Sequence, residues 1–116
     1  MSSSTDRIEN LGEFEKLVLG AVLQLGENAY GMTIHEQVEE WVGKWRVVSL
    51  GAIYTTLDRL EKKGLVSSWY GNETPERGGR KKRFFKIEGV GQRAIDFSLA
   101  TALVLTTALR PSRGRR

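Results

Sequence analysis

Apolar residues recur at spacings of three and four from Leu11 to Leu25, at Leu11, Phe14, Leu17, Val18, Ala21, Val22 and Leu25, with Glu13, Glu15 and Lys16 set off that face. This period predicts an amphipathic first helix. Gly26, Asn28 and Gly31 then supply turn chemistry, and Thr33 stands three residues before Glu36, the spacing at which a hydroxyl and a carboxylate cap each other's backbone donors. A second helix is predicted from Met32 to Val42, with Ile34, Val38, Trp41 and Val42 inward and Glu36, Glu39 and Glu40 outward. So acidic a face repels a polyanion and is expected to look away from one. After Gly43 the stretch KWRVVS reads as a short β-rich connector. Ser49 is placed to cap a third helix from Ser49 to Lys63, in which Leu50, Ile53, Tyr54, Leu57 and Leu60 follow the helical period. The opposite side of that helix presents Ala52, Thr55, Thr56, Arg59, Lys62 and Lys63, with Asp58 its main acid, and Gly64 ends it.

The pattern then changes period. LVSSWY (Leu65 to Tyr70) and KKRFFKI (Lys81 to Ile87) read as strands, and GNETPERGG between them is dense in turn formers, so the pair makes a β-hairpin with a basic loop. Five cations fall within the seven positions from Arg77 to Arg83. A last helix from Val90 to Leu109 is apolar on more than one side, which a small domain cannot cover by itself, so it is expected to pack against another chain. Three helices followed by a hairpin give the order of a winged helix-turn-helix, mainly α with a small β-hairpin. The expected divisions are a lead-in at 1–10, the winged helix at 11–88, a dimerisation helix at 89–109 and a basic tail at 110–116.

Composition narrows the classes of function. The 116 residues contain no cysteine and one histidine, His35, which leaves no thiolate metal site, no disulfide and no cofactor reading. His35 is expected to sit on a helix surface or act as a cap. The opening MSSSTDRIEN lacks the apolar run of a signal peptide, and the uncharged stretch from Phe97 to Leu109 is shorter than the roughly 20 apolar residues that span a bilayer, so a cytoplasmic location is expected. The net charge of +4 is unevenly divided: residues 1–45 carry eight acids and three bases, a balance of −5, and residues 46–116 carry six acids and fifteen bases, a balance of +9. An anionic partner for the second half follows, nucleic acid before membrane surface. Gly89 to Ala94 reads G-V-G-Q-R-A and matches a dinucleotide-binding fingerprint. The strand before it is studded with Lys81, Lys82, Arg83 and Lys86 where a buried parallel strand is apolar, so the fingerprint is rejected. No nucleophile with a matching base and no phosphate loop are present, and no enzymatic activity is read.

Gly51, Ile53, Tyr54, Leu57, Arg59, Leu60, Glu61, Gly64 and Leu65, followed by Gly78, Gly79, Arg80, Lys81, Arg83, Phe84 and Phe85, resemble the signature of the PadR family of bacterial transcriptional regulators. Its pattern runs from a G-x-[LI]-Y-x-x-L-x-R-L-E-x-x-G-L helix into a G-G-R-x-[RK]-[FY]-[FY] wing. The resemblance covers roughly residues 11 to 96. It implies a homodimer, third helices in successive major grooves of double-stranded DNA, wings at the flanking minor groove, and repression relieved by a ligand that the sequence does not identify. The final helix of this chain is short for the family, so the dimer it implies is compact; it also lacks the tryptophans between which some short members hold flat ligands, so ligand sensing of that kind does not carry over.

The candidate DNA-binding residues are Ser49, Ala52, Tyr54, Thr55, Thr56 and Arg59 on the third helix and Arg77, Gly79, Arg80, Lys81 and Arg83 on the wing. Tyr54 lies at the edge of the apolar stripe, where its ring packs, its hydroxyl meets a phosphate, or both. Arg59 either pairs with Glu61 or another carboxylate or reaches DNA. Ile95, Phe97, Leu99, Ala102, Leu103 and Leu109 are the candidate dimerisation residues. Trp41, Trp45 and Trp69 read as core or interface. A winged helix that binds protein rather than DNA, through its acidic second helix and the tryptophans, is the alternative of another class.

Overall fold

The computed structural model describes residues 11–73 and 81–111. The lead-in, the wing-tip candidates Arg77, Gly79 and Arg80, and the last five residues lie outside the described residues. Helix α1 spans Glu13–Leu25, a short 3-10 turn Gly26–Asn28, α2 Gly31–Val42, α3 Leu50–Lys62, β1 Val66–Glu73, β2 Lys81–Ile87 and α4 Gly89–Leu109. The three helices enclose a core of Val18, Leu19, Val22, Ile34, Val38, Ile53, Leu57 and Leu60, and Leu65, Val66 and Phe85 seat the hairpin on it.

Each junction has a local cause. The Ser49 side chain accepts the Ala52 N–H at 3.0 Å and starts α3 as expected. At the other end Gly64 takes a left-handed φ of 79°, with Gly64 N–H bonded to Glu61 O at 2.9 Å and Leu65 N–H to Leu60 O at 3.0 Å. These two bonds form a Schellman motif, closed by Leu60 and Leu65, both buried. The hairpin pairs β1 with β2 antiparallel, from Val66 opposite Ile87 to Tyr70 opposite Arg83. On its other side β2 meets the α1–α2 connection, through a bridge between Tyr30 and Phe84 and a bond from Phe85 N–H to Ala29 O at 2.9 Å. β2 is thus held along both of its edges.

Several expectations are corrected. Glu15, set off the apolar face, is 6% exposed. Both of its oxygens lie 3.0 Å from the Lys63 ammonium, and Oε1 accepts Gly12 N–H at 2.9 Å. The carboxylate therefore caps the start of α1 and ties it to the end of α3, with its desolvation offset by those three bonds. Thr33 does not cap ahead of Glu36; it lies inside the first turn of α2, accepts Tyr30 N–H at 3.0 Å and donates to Asn28 O at 2.6 Å. KWRVVS forms no strand, because Trp45 and Arg46 N–H both turn back to Val42 O. His35 Nε2 donates to Val48 O at 2.7 Å and pins this connection to α2. Trp41 is partly exposed and not a core residue.

The rejected fingerprint has a packing explanation. Gly91 is buried in the first turn of α4, so close to the Leu65 carbonyl and Ile87 that a Cβ has no room. Gly91→Ala is expected to force α4 off the α3–β1 junction and cost about 2 kcal/mol, the scale of overpacking in a rigid site. A lower urea midpoint with unchanged slope checks this, and an unshifted midpoint contradicts it.

Candidate nucleic-acid interface

Helical spacing divides α3 cleanly. Ile53, Leu57 and Leu60 point into the core, while Gly51, Thr55, Asp58, Arg59 and Lys62 are exposed and Ala52 is partly so. The exposed arc starts at a capped helix N-terminus with small and hydroxyl groups and ends in cations, an arrangement that admits close approach to base edges and then to phosphates. Arg59 is exposed and makes no ion pair with a carboxylate among the described residues. Asp58, the acid on this arc, lies 3.3 Å from the Arg83 guanidinium, which it shares with Glu61.

Tyr54 is partly exposed and its hydroxyl lies over Gly31, where a Cβ has no room. The packing reading of Tyr54 is met at α2, where the hydroxyl end of the ring rests against buried Gly31. A groove of about 620 Å³ opens beside it, lined by Tyr30, Gly31, Met32, Glu36, Tyr54, Tyr70, Lys81, Lys82 and the edge of Arg83. The Lys82 ammonium sits 4.3 Å from the centre of the Tyr30 ring, Tyr30 meets Phe84 edge-on at 5.5 Å, and Phe84 stacks on Trp69 at 5.9 Å. This aromatic chain stiffens the hairpin across its width. Behind the hairpin a second cleft of about 680 Å³ is lined by Val22, Leu23, Trp69, Lys86 and Ile87.

Four sequence-derived assignments change. Thr56 is 4% exposed and packs with the core, so it has no access to a groove. Arg83 turns inward, with Nη2 2.6 Å from Glu61, Nη1 3.3 Å from Asp58 and its guanidinium 4.9 Å over the Phe85 ring, so its charge is spent within the molecule. Ile95 is 6% exposed in the contact of α4 with the body and has no free surface for a second chain. Glu36, on the acidic face expected to look away from nucleic acid, lines the groove together with Lys81 and Lys82 of the wing. Lys81 is exposed, as its assignment requires, and Phe97, Leu99, Ala102, Leu103 and Leu109 are all exposed. Lys62, Lys82 and Tyr70 belong on this surface too. Lys62 was signalled by the i, i+3 step from Arg59, whereas Lys82 and Tyr70 reach it through folding of the hairpin beside α2.

A three-helix core with a hairpin wing, whose third helix presents a capped, cation-ended face, defines a winged helix-turn-helix of the DNA-binding class. The family described as Transcriptional regulator PadR-like matches residues 18–96, more than half the chain, and the chain belongs to that family. It is similar to a PadR family transcription regulator from Clostridium difficile, at 26% identity and a TM-score of 0.68, covering 84% of this chain and 95% of that one. It is also similar to the protein in the complex structure of hsRosR, at 25% identity and a TM-score of 0.65, covering 95% and 84% of the two chains. A PadR-like transcriptional regulator from Bacillus cereus shares the fold at 23% identity and a TM-score of 0.63, over 85% and 93%. The chain is a DNA-binding transcriptional regulator. No helix among the described residues is long and apolar enough to cross a membrane.

Proposed function

We propose that the protein is a repressor of transcription, acting in the cytoplasm without catalysis, that binds an inverted-repeat operator as a homodimer. The α3 helix of each protomer enters a major groove, and the basic wing, including Arg77, Arg80 and Lys81, lies against the neighbouring backbone and minor groove. The observation that carries this reading is the α3 arc of exposed Thr55, Arg59 and Lys62 with partly exposed Ala52, whose acid, Asp58, is paired to Arg83. The exposed apolar second half of α4 supports pairing of two chains.

Fluorescence anisotropy with a duplex selected from a random pool tests the reading. Each phosphate contact removed lowers the slope of log K against log salt by about one unit. Arg59→Ala and Lys81→Ala are each expected to weaken binding and to flatten that slope by about one unit. Absence of binding to any duplex at low salt would instead favour a protein-binding winged helix.

A further inference from the structure

Arg83 stands at a structural boundary of the wing. Its pair with Tyr70 is the last in regular register, and beyond it the pairing shifts so that Glu73 meets Lys81. On the body side of this boundary Val66 and Phe85 are buried, and on the tip side Tyr70 and Lys81 are exposed. All three guanidinium nitrogens are engaged across it. Nη2 donates to Glu61 at 2.6 Å and Nη1 to Asp58 at 3.3 Å, both on α3, while Nε donates to Ser68 Oγ at 3.2 Å on β1. Ser68 Oγ in turn donates to the other Glu61 oxygen at 2.9 Å, and the guanidinium plane rests on the Phe85 ring.

An exposed ion pair alone contributes little, and Asp58 is largely open to solvent. A planar fork shared by three elements and stacked on a buried ring does something different: it fixes an angle. The elements it joins are the helix that enters the major groove and the two strands that carry the wing to its neighbour.

We propose that Arg83 is a positioning residue that sets the angle between the wing and the recognition helix, and through it the groove-to-groove geometry of duplex that the protein accepts. Arg83 does this without contacting DNA. The inference rests on the DNA-binding reading and adds to it the source of discrimination between a matching and a non-matching duplex.

The experiment selects a tight duplex with the full wild-type chain, then measures its affinity and that of a scrambled duplex across a salt series for wild type, Arg83→Gln, Arg83→Lys and Glu61→Gln. Arg83→Gln is expected to lower the selected-to-scrambled affinity ratio about tenfold, within the range of one lost base contact, and to leave the salt slope on scrambled duplex unchanged. Arg83→Lys keeps the charge without the fork and is expected to lose the same discrimination. Glu61→Gln removes a negative charge near the DNA and is nevertheless expected to lower the ratio. A slope reduced by about one unit in Arg83→Gln with the ratio intact identifies a phosphate contact and overturns the proposal. Full rescue by lysine, or an unchanged ratio in all three variants, overturns it as well. If circular dichroism shows that Arg83→Gln does not fold, Arg83→Lys and Glu61→Gln decide. Failure of the wild type to bind any duplex counts against the DNA-binding reading itself, whereas wild-type binding with unaltered variants removes only the clamp.

Discussion

Phe85→Ala is expected to destabilise the protein by about 4 kcal/mol, a large fraction of the 5–15 kcal/mol available to a domain. Phe85 is fully buried and is the largest side chain in the core. It lies on β2 between two attachments of the wing: its own N–H bonds to Ala29 O, and its ring carries the Arg83 guanidinium. Truncation opens a cavity under the hairpin, which the rigid α1–α2 connection does not close, and it removes the surface on which the Arg83 fork is stacked. Phe85→Leu keeps most of the volume and loses the flat face, so it is expected to cost roughly half as much on the scale of core substitutions. Urea unfolding followed by far-ultraviolet circular dichroism measures both. A cost below about 1.5 kcal/mol for Phe85→Ala, the level of a tolerated core swap, would show that the wing is not seated through this residue.

The helices and the hairpin were legible because their causes are local. Period, capping by Ser49, termination by Gly64 and the alternation of β2 all lie within a few residues of what they determine. Glu15 shows where that stops. It was set off the apolar face because an acid does not belong there, although it stands four residues after Leu11 and three before Val18; the group that balances it, Lys63, is 48 residues away. Arg83 was misassigned for the same reason, since a cation in a basic run reads as a DNA contact until Asp58 and Glu61 are brought beside it by folding. Thr56 is a finer case: it is adjacent to exposed Thr55, and a rotation of one residue along α3 takes it from the surface to the core. Glu36 comes beside Lys81 and Lys82 because the hairpin lies next to the start of α2, a long-range placement with no local signal.

Leu105→Asp combined with Leu109→Asp is expected to convert the protein to a monomer and to reduce affinity for an inverted-repeat duplex by 100-fold or more, roughly the gain from linking two binding events. Along α4 the positions Gly91, Ile95, Ser98, Ala102, Leu105 and Leu109 are spaced four, three, four, three and four, the repeat of a helix–helix seam. The first part of that seam is covered by the chain's own body, where Gly91, Ala94 and Ile95 are buried. The same face then runs past the body, and there Leu105 is 52% and Leu109 77% exposed, with Leu99 and Leu103 beside them. Nothing among the described residues covers this continuation, so a second α4 running against it is the partner that the spacing fits. Because both leucines are exposed within one chain, their replacement should leave the folded protomer close to wild type, apart from roughly 0.5 kcal/mol of helix propensity per aspartate. Sedimentation velocity separates the outcomes. A variant that stays dimeric assigns pairing to another surface, and a monomer with undiminished operator affinity shows that the two half-sites are not bound as one linked event.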